Sequence, residues 1–187
     1  MSAIAAAAAA VEQRASRATP LVVVVMGVSG TGKTTIGELV AEALGIDFVE
    51  GDSHHPDANV RKMSEGEPLD DDDRRPWLEE LGRVAAGYRD ERRDVVITCS
   101  ALKRAYRDLL REAVPDIFFV HLHAERDVLA ERMTQRTKHF MPTSLLQSQL
   151  DTLEPLEPDE RGAVVDVAPR PSRVASVALE EIAASCG

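Results

Sequence analysis

The sequence predicts an α/β fold, a five-stranded parallel sheet flanked by helices on both faces. Three observations carry that reading. Short β-branched runs alternate with segments of helical period, the pattern of buried strands joined by crossover helices. The first run, Leu21-Val22-Val23-Val24-Val25-Met26, is apolar without alternation and closes on Gly27, which suits a strand covered on both sides. The 187 residues, 44% hydrophobic and 29% charged, suffice for one globular core.

Residues 1–20 read as a disordered, alanine-rich extension. No basic residue precedes the alanine run at 5–10, and its side chains are too small for a signal-peptide core. A single domain over 21–187 follows, with strands expected at Val22–Met26, Asp47–Glu50, Val95–Thr98, Ile117–Leu122 and Val164–Val167. Between the first two, Ile36, Leu39, Val40, Ala43 and Leu44 form one apolar stripe on a helix that Gly45 can end. Trp77, Leu81, Val84 and Tyr88 predict a second helix, with Pro76 near its start. Leu102, Ala105, Leu109 and Leu110 predict a third, and a fourth runs from about Asp127 to Arg136. The last carries Val174, Val177, Ala178 and Ile182, with Ser172 as its expected N-cap. The stretch from Gly51 to Arg75 reads as the one long polar connection, and connections of that length are often functional.

Charge and cysteine content exclude several roles. Twenty-two Lys and Arg against 32 Asp and Glu leave a net charge of −10, which repels nucleic-acid phosphates and anionic lipid. No stretch reaches the ~18 to 20 apolar residues that span a bilayer. Cys99 and Cys186 are too few for a disulfide framework. The expectation is a cytoplasmic protein with neither a nucleic-acid nor a membrane partner.

The strongest chemical signal is Gly27-Val28-Ser29-Gly30-Thr31-Gly32-Lys33-Thr34, followed by Thr35. It satisfies G-x-x-x-x-G-K-[ST] between a predicted strand and a predicted helix. Glycines let successive N–H groups turn inward onto phosphate oxygens above a helix N-terminus. Lys33 reaches the β- and γ-phosphates in such a loop, and the Thr34 hydroxyl is placed for Mg²⁺, a hard cation bound together with phosphates. GTPases, ATPases and small-molecule kinases share this loop, so other residues must choose among them.

Glu50 and Asp52 lie two apart at the end of the second strand, so strand alternation would put both on one face. One carboxylate can hold Mg²⁺ through water; the other, for which Asp52 is preferred, can take the proton of an acceptor hydroxyl. After the third strand, Ser100 and Lys103 bring a hydroxyl and an ammonium to another strand end, and no Asp marks a Walker B site there. Lys103 suits an anionic substrate or a plain surface position. Arg132, Arg136, Lys138 and His139 concentrate positive charge in an acidic chain, as a lid closing over phosphates requires, or as a basic helix end would. The Asp70–Asp73 run favours a helix entry over a metal loop. His121 and His123 lack a third ligand at a metal-binding spacing.

Separated blocks in a fixed order make the chain resemble gluconokinases of the thermoresistant type, within the P-loop group that includes shikimate kinase. The likeness covers Val22 to the C-terminus. It rests on Met26 through Thr34, then Gly51-Asp52, His55-Pro56, Asn59, Lys62-Met63, Gly66, Pro68-Leu69, Asp71, Asp73-Arg74 and Pro76-Trp77-Leu78. It continues through Cys99-Ser100-Ala101-Leu102-Lys103, Tyr106-Arg107-Asp108, His139-Phe140-Met141-Pro142, Leu145-Leu146, Gln147-Ser148-Gln149 and Thr152-Leu153-Glu154.

The resemblance implies a P-loop kinase fold with an acceptor-binding segment at 52–75 and a lid region at 132–150. It implies phosphorylation of D-gluconate at the 6-hydroxyl by ATP, with Mg²⁺, in a homodimer. Lys33, Asp52 and Arg136 would then be catalytic. Asp52, His55, Lys62, Arg74, Ser100, Lys103 and His139 would bind gluconate, and Thr34 and Glu50 the metal. The phosphate loop with Arg132 and Arg136 would hold ATP, with Val167 and Pro169 near the adenine. Two positions depart from the family: Lys138 stands where relatives often place glycine, and Glu50 where aspartate is common. Another acceptor (shikimate, a different sugar acid or a nucleoside monophosphate) and a nucleotide-switched binding module remain the competing readings.

Overall fold

The computed structural model describes residues 4, 5, 8, 9, 11, 19–134 and 143–186. Five parallel strands, β1 (Val22–Met26), β2 (Asp47–Val49), β3 (Val95–Thr98), β4 (Phe118–His123) and β5 (Gly162–Asp166), form one sheet in the order β2-β3-β1-β4-β5. The helices are α1 (Lys33–Leu44), α2 (Asp57–Ser64), α3 (Asp71–Asp90), α4 (Arg104–Ala113), α5 (Arg126–Thr134), α6 (Thr143–Thr152) and α7 (Pro171–Ser185). All five residues of β1 are buried, as the unbroken valine run requires. Helix α1 packs on α7, and α3 on α4. Connections leave β1 and β3 toward opposite sides of the sheet, and such a switch point opens a crevice beyond the carboxyl ends of the strands.

Several boundaries move, each for a physical reason. β2 stops at Val49 because Glu50 leaves the ladder and caps a 3₁₀ turn, Gly51–His54, accepting from the Asp52 N–H at 3.4 Å. β4 starts at Phe118, since the Ile117 N–H is spent on the Val114 carbonyl at 3.3 Å. β5 begins at Gly162, two residues before the expected Val164, because a Cβ there would lie 2.4 Å from the Phe119 carbonyl oxygen and glycine permits the approach. The expected loop from Gly51 to Arg75 folds instead into the 3₁₀ turn, α2 and the first turn of α3.

Helix α3 enters at Asp71, so Pro76 sits inside it and not near its start. Asp70 and Asp73 form a reciprocal capping box, and Asp71, Asp72 and Asp73 face the positive helix end. Leu102 is buried ahead of α4, which starts at Arg104. Ser172 is not the N-cap of α7; Arg170 is, with Pro171 at N1. Of the leader expected to be disordered over 1–20, Ile4, Ala5, Ala8, Ala9 and Val11 are helical, with Ala8 and Val11 buried in the core. The part of the fourth predicted helix beyond Thr134 lies outside the described residues.

One polar strut crosses the core. The side chains of Arg107 and Glu160 are fully buried and paired through two contacts of 2.7 Å. Arg107 also donates to the carbonyls of Ala101, Leu102, Glu154 and Pro155, which uses its fork fully. It thereby holds Ala101 at φ 42, a left-handed backbone that costs a non-glycine residue strain, and fixes the turn carrying Ser100 and Lys103. No helix among the described residues is long and apolar enough to cross a membrane.

Candidate active site

The phosphate loop leaves β1 at Gly27, whose φ of 139 and close approach to the Leu122 carbonyl (2.6 Å for an added Cβ) demand glycine. The Thr31 hydroxyl closes the loop on the Val28 carbonyl at 2.8 Å. Gly32 precedes α1 in the left-handed region, and no side chain caps that helix. Its first N–H groups are therefore left for an anion. Lys33 Nζ curls back to the Val28 carbonyl at 3.3 Å, so its charge lies over the loop. Thr34 and Thr35 are exposed in the same first turn.

Thr34 Oγ1 donates to Glu50 Oε2 at 2.6 Å, which brings together the two residues expected to hold the metal. The Thr98 hydroxyl, at the end of β3, donates to the other Glu50 oxygen and accepts from the Gly51 N–H at 3.0 Å. Glu50 thus reaches across from β2 to the position where β3 offers no carboxylate. These are hard oxygen donors, which fit Mg²⁺. No group of three His, Cys, Asp or Glu suited to a metal occurs among the described residues.

Because β2 ends at Val49, strand alternation does not align Glu50 and Asp52; Asp52 sits exposed in the 3₁₀ turn, with its backbone N–H on the Glu50 carboxylate. That turn is pinned from both sides. A Cβ on Gly51 would fall 1.8 Å from the Thr98 carbonyl oxygen, and the Trp77 indole N–H donates to the Gly51 carbonyl at 2.8 Å. His55 stacks on Trp77 with ring centroids 4.0 Å apart, and its Nε2 lies 4.0 Å from Asp52 Oδ1. Asn59 bonds the Asp73 carbonyl at 2.8 Å and faces His55 Nδ1 at 3.4 Å. An amide donor there suits the tautomer with its proton on Nε2, toward Asp52. Burial lowers the His55 pKa to about 4; Asp52 pulls it up and Arg74 pushes it down, so the ring is neutral near pH 7.

The expected acceptor residues converge only in part. Buried Arg74 donates to the Leu69 carbonyl at 3.3 Å and to Ser100 Oγ at 3.4 Å, and the Ser100 carbonyl accepts from the Gly27 N–H at 3.3 Å. Arg74 therefore stands between α3 and the phosphate loop. Lys103 is held by Asp71 at 2.7 and 2.9 Å, and Tyr106 donates to the same carboxylate. These hydrogen bonds, Lys103 first and Tyr106 second, lower the Asp71 pKa. Lys62 pairs with Asp73, a hydrogen bond that raises the lysine pKa, and lies 3.7 Å from Asp70. Beside this group, Met63, Glu67, Pro68, Leu69, Arg74, Ser148 and Gln149 line a shallow, open hollow.

Arg136, Lys138 and His139 lie outside the described residues, as does the Arg132 side chain. Val167 is buried just past β5, with its N–H on the His123 carbonyl at 2.9 Å, and Pro169 is exposed in the turn that follows. Sequence reasoning missed Thr98, Trp77 and Tyr106 as site residues, and also Gln149, whose Oε1 accepts from the Ser29 N–H at 2.7 Å. Asp71 was read as helix entry and also holds Lys103. Cys99, fully buried with its thiol pushed up to about 12 by burial, is inert as a nucleophile.

His121 is 4% exposed, and neither ring nitrogen has a partner among the described residues. Burial first, then His123 and Arg107, lowers its pKa to about 4. Unfolded histidines with the ordinary value of 6.5 take up protons before the folded ones do, so stability is lost as pH falls from about 6.5 toward about 4. Chemical denaturation across this window should show that slope, and His121→Leu should reduce it, leaving the part that His55 contributes. A flat wild-type profile would refute neutral burial of both rings.

Known proteins resemble this chain over most of its length. The AAA domain family model matches residues 22–156. A gluconokinase from Gluconobacter oxydans is 51% identical over 146 residues, 75% of this chain and 79% of its own. A probable gluconokinase from Xenopus tropicalis is 44% identical over 162 residues, 79% of this chain and 85% of its own. The crystal structure of a gluconokinase from Sinorhizobium meliloti superposes with a TM-score of 0.82 at 53% identity, covering 90% of this chain and 94% of that one. An APS kinase from Mycobacterium tuberculosis, 17% identical with a TM-score of 0.66 over 87% of this chain and 97% of its own, shares the fold alone. With the uncapped start of α1 bonded to Glu50 beside the turn that carries Asp52, and with kinship over most of its length, the chain belongs to the gluconokinase family of P-loop kinases.

Proposed function

We propose that the chain transfers the γ-phosphoryl group of ATP to the 6-hydroxyl of D-gluconate, giving 6-phospho-D-gluconate and ADP. The observation that carries this reading is the continuity from Thr34 through Glu50 to Asp52. Through Glu50, the phosphate loop meets the short turn that carries Asp52, whose carboxylate lies beside His55. Asp52 takes the proton of the 6-hydroxyl as its oxygen bonds to the γ-phosphorus and the bond to the β-phosphate oxygen breaks, leaving ADP. Lys33 and the first N–H groups of α1 spread the charge that builds on the transferring phosphoryl. Thr34 and Glu50 would hold Mg²⁺, which when bound neutralises charge on the β- and γ-oxygens.

Arg74 and Lys103 supply the positive side of the acceptor pocket for a sugar carboxylate, with His55, Lys62 and Ser100 beside them. In the lid, Arg132 and Arg136 add charge over ATP, and His139 meets gluconate. Val167 and Pro169 flank the adenine. The reading includes a homodimer in the cytoplasm.

A coupled assay for ADP release from Mg-ATP, run with gluconate, shikimate and nucleoside monophosphates, tests it. Gluconate should give by far the highest kcat/KM. Turnover preferring another acceptor, or ATP binding without acceptor-dependent turnover, would replace this reading with one of its competitors.

A further inference from the structure

Helix α6 sets Gln149 against the phosphate loop. Gln149 Oε1 accepts from the Ser29 N–H at 2.7 Å, across 120 positions of sequence. A main-chain N–H can only donate, so the oxygen end of this carboxamide is committed to the loop, and its other end is an NH₂ donor. The same residue, with Ser148, lines the hollow that Met63, Leu69 and Arg74 form on the acceptor side. A single residue therefore bonds the phosphate loop and lines this hollow.

The rest of the hollow's wall is mixed. Arg74 brings a fixed positive charge matched to a carboxylate, Glu67 and Ser148 bring a carboxyl and a hydroxyl, and Met63, Pro68 and Leu69 offer no side-chain donor. A polyol chain needs neutral donors for its hydroxyl oxygens, and Gln149 Nε2 is a neutral donor tied to the phosphate loop itself. We infer that Gln149 binds a hydroxyl of the sugar acid through Nε2 and sets that hydroxyl in register with the transferring phosphoryl through Ser29. This makes it a specificity-determining residue, and the inference rests on the gluconate reading above.

The test is steady-state kinetics of the full chain with Gln149→Leu, Gln149→Glu and the wild type, each with gluconate and a series of monodeoxygluconates. Leucine removes both functions of the amide. Glutamate keeps an acceptor for Ser29, loses the donor and is close in shape, so it serves if the leucine variant fails to fold. Both variants should raise the KM for gluconate about tenfold or more, with the KM for ATP in Gln149→Leu within about threefold of wild type.

One deoxy position should be decisive. Loss of that hydroxyl should cost the wild type about tenfold in kcat/KM and cost the variants almost nothing, because its partner is already gone. Equal penalties for every analogue in wild type and variants would reduce Gln149 to a structural tether and overturn the inference. So would a rise confined to the KM for ATP. If the wild type phosphorylates gluconate and the variants match it, only this inference falls; if the wild type does not, the gluconate reading falls and takes this one with it.

Discussion

Asp52→Asn should lower kcat by about two to four orders of magnitude, the range typical of a positioned general base. The substitution keeps the side-chain volume and leaves the backbone contact from the Asp52 N–H to Glu50 in place. The 3₁₀ turn also stays pinned by Thr98 and by the Trp77 indole on the Gly51 carbonyl. The KM values for ATP and gluconate should therefore move little, and the loss should appear in single-turnover phosphoryl transfer. Asparagine cannot take the proton of the attacking hydroxyl, which then leaves only after attack and only to water. A kcat within about threefold of wild type would show that another group receives the proton.

Lys33→Ala should cost about two to three orders of magnitude in kcat, corresponding to the ~3 to 4 kcal/mol that one preorganised electrostatic group contributes at a transition state. Negative charge on the transferring phosphoryl builds beside the ammonium as the bond to the leaving ADP loosens. The lysine stabilises that arrangement more than bound ATP. The KM for ATP should change less than kcat, since the first N–H groups of α1 and the glycine loop still cradle the phosphates. Turnover close to wild type would remove Lys33 from the chemistry. Loss confined to nucleotide affinity would make it a binding residue only.

Local pattern made much of the fold legible. The valine run of β1 and the phosphate loop announce themselves because burial on both faces and phosphate binding each demand particular residues at adjacent positions. Segments shaped by partners distant in sequence were less legible. β5 starts early because Gly162 closes on Phe119, and β2 stops short because Glu50 is drawn to Thr34 and Thr98. Helix α3 extends back past Pro76 because a reciprocal cap between Asp70 and Asp73 stabilises its entry more than the proline disfavours it.

The candidate site divides in the same way. Thr34, Glu50 and Asp52 could be named from motif and strand end. That Asp71 restrains Lys103, that Trp77 braces His55, and that Gln149 reaches Ser29 are pairings over 22 to 120 positions. No spacing in one sequence reveals contacts of that kind.

The indole of Trp77 has a consequence for how acceptor choice could be altered. His55, Lys62 and Arg74 ride on α2, α3 and the turn before them, and this unit is fastened to the rest of the chain where the indole grips Gly51, where Arg74 meets Ser100 and where Asp71 holds Lys103 and Tyr106. It behaves as a cartridge seated in a fixed chassis. Exchanging the stretch from 55 to 75 for one shaped to another polyol, with Trp77 and Gly51 retained, would retarget the enzyme without rebuilding its engine.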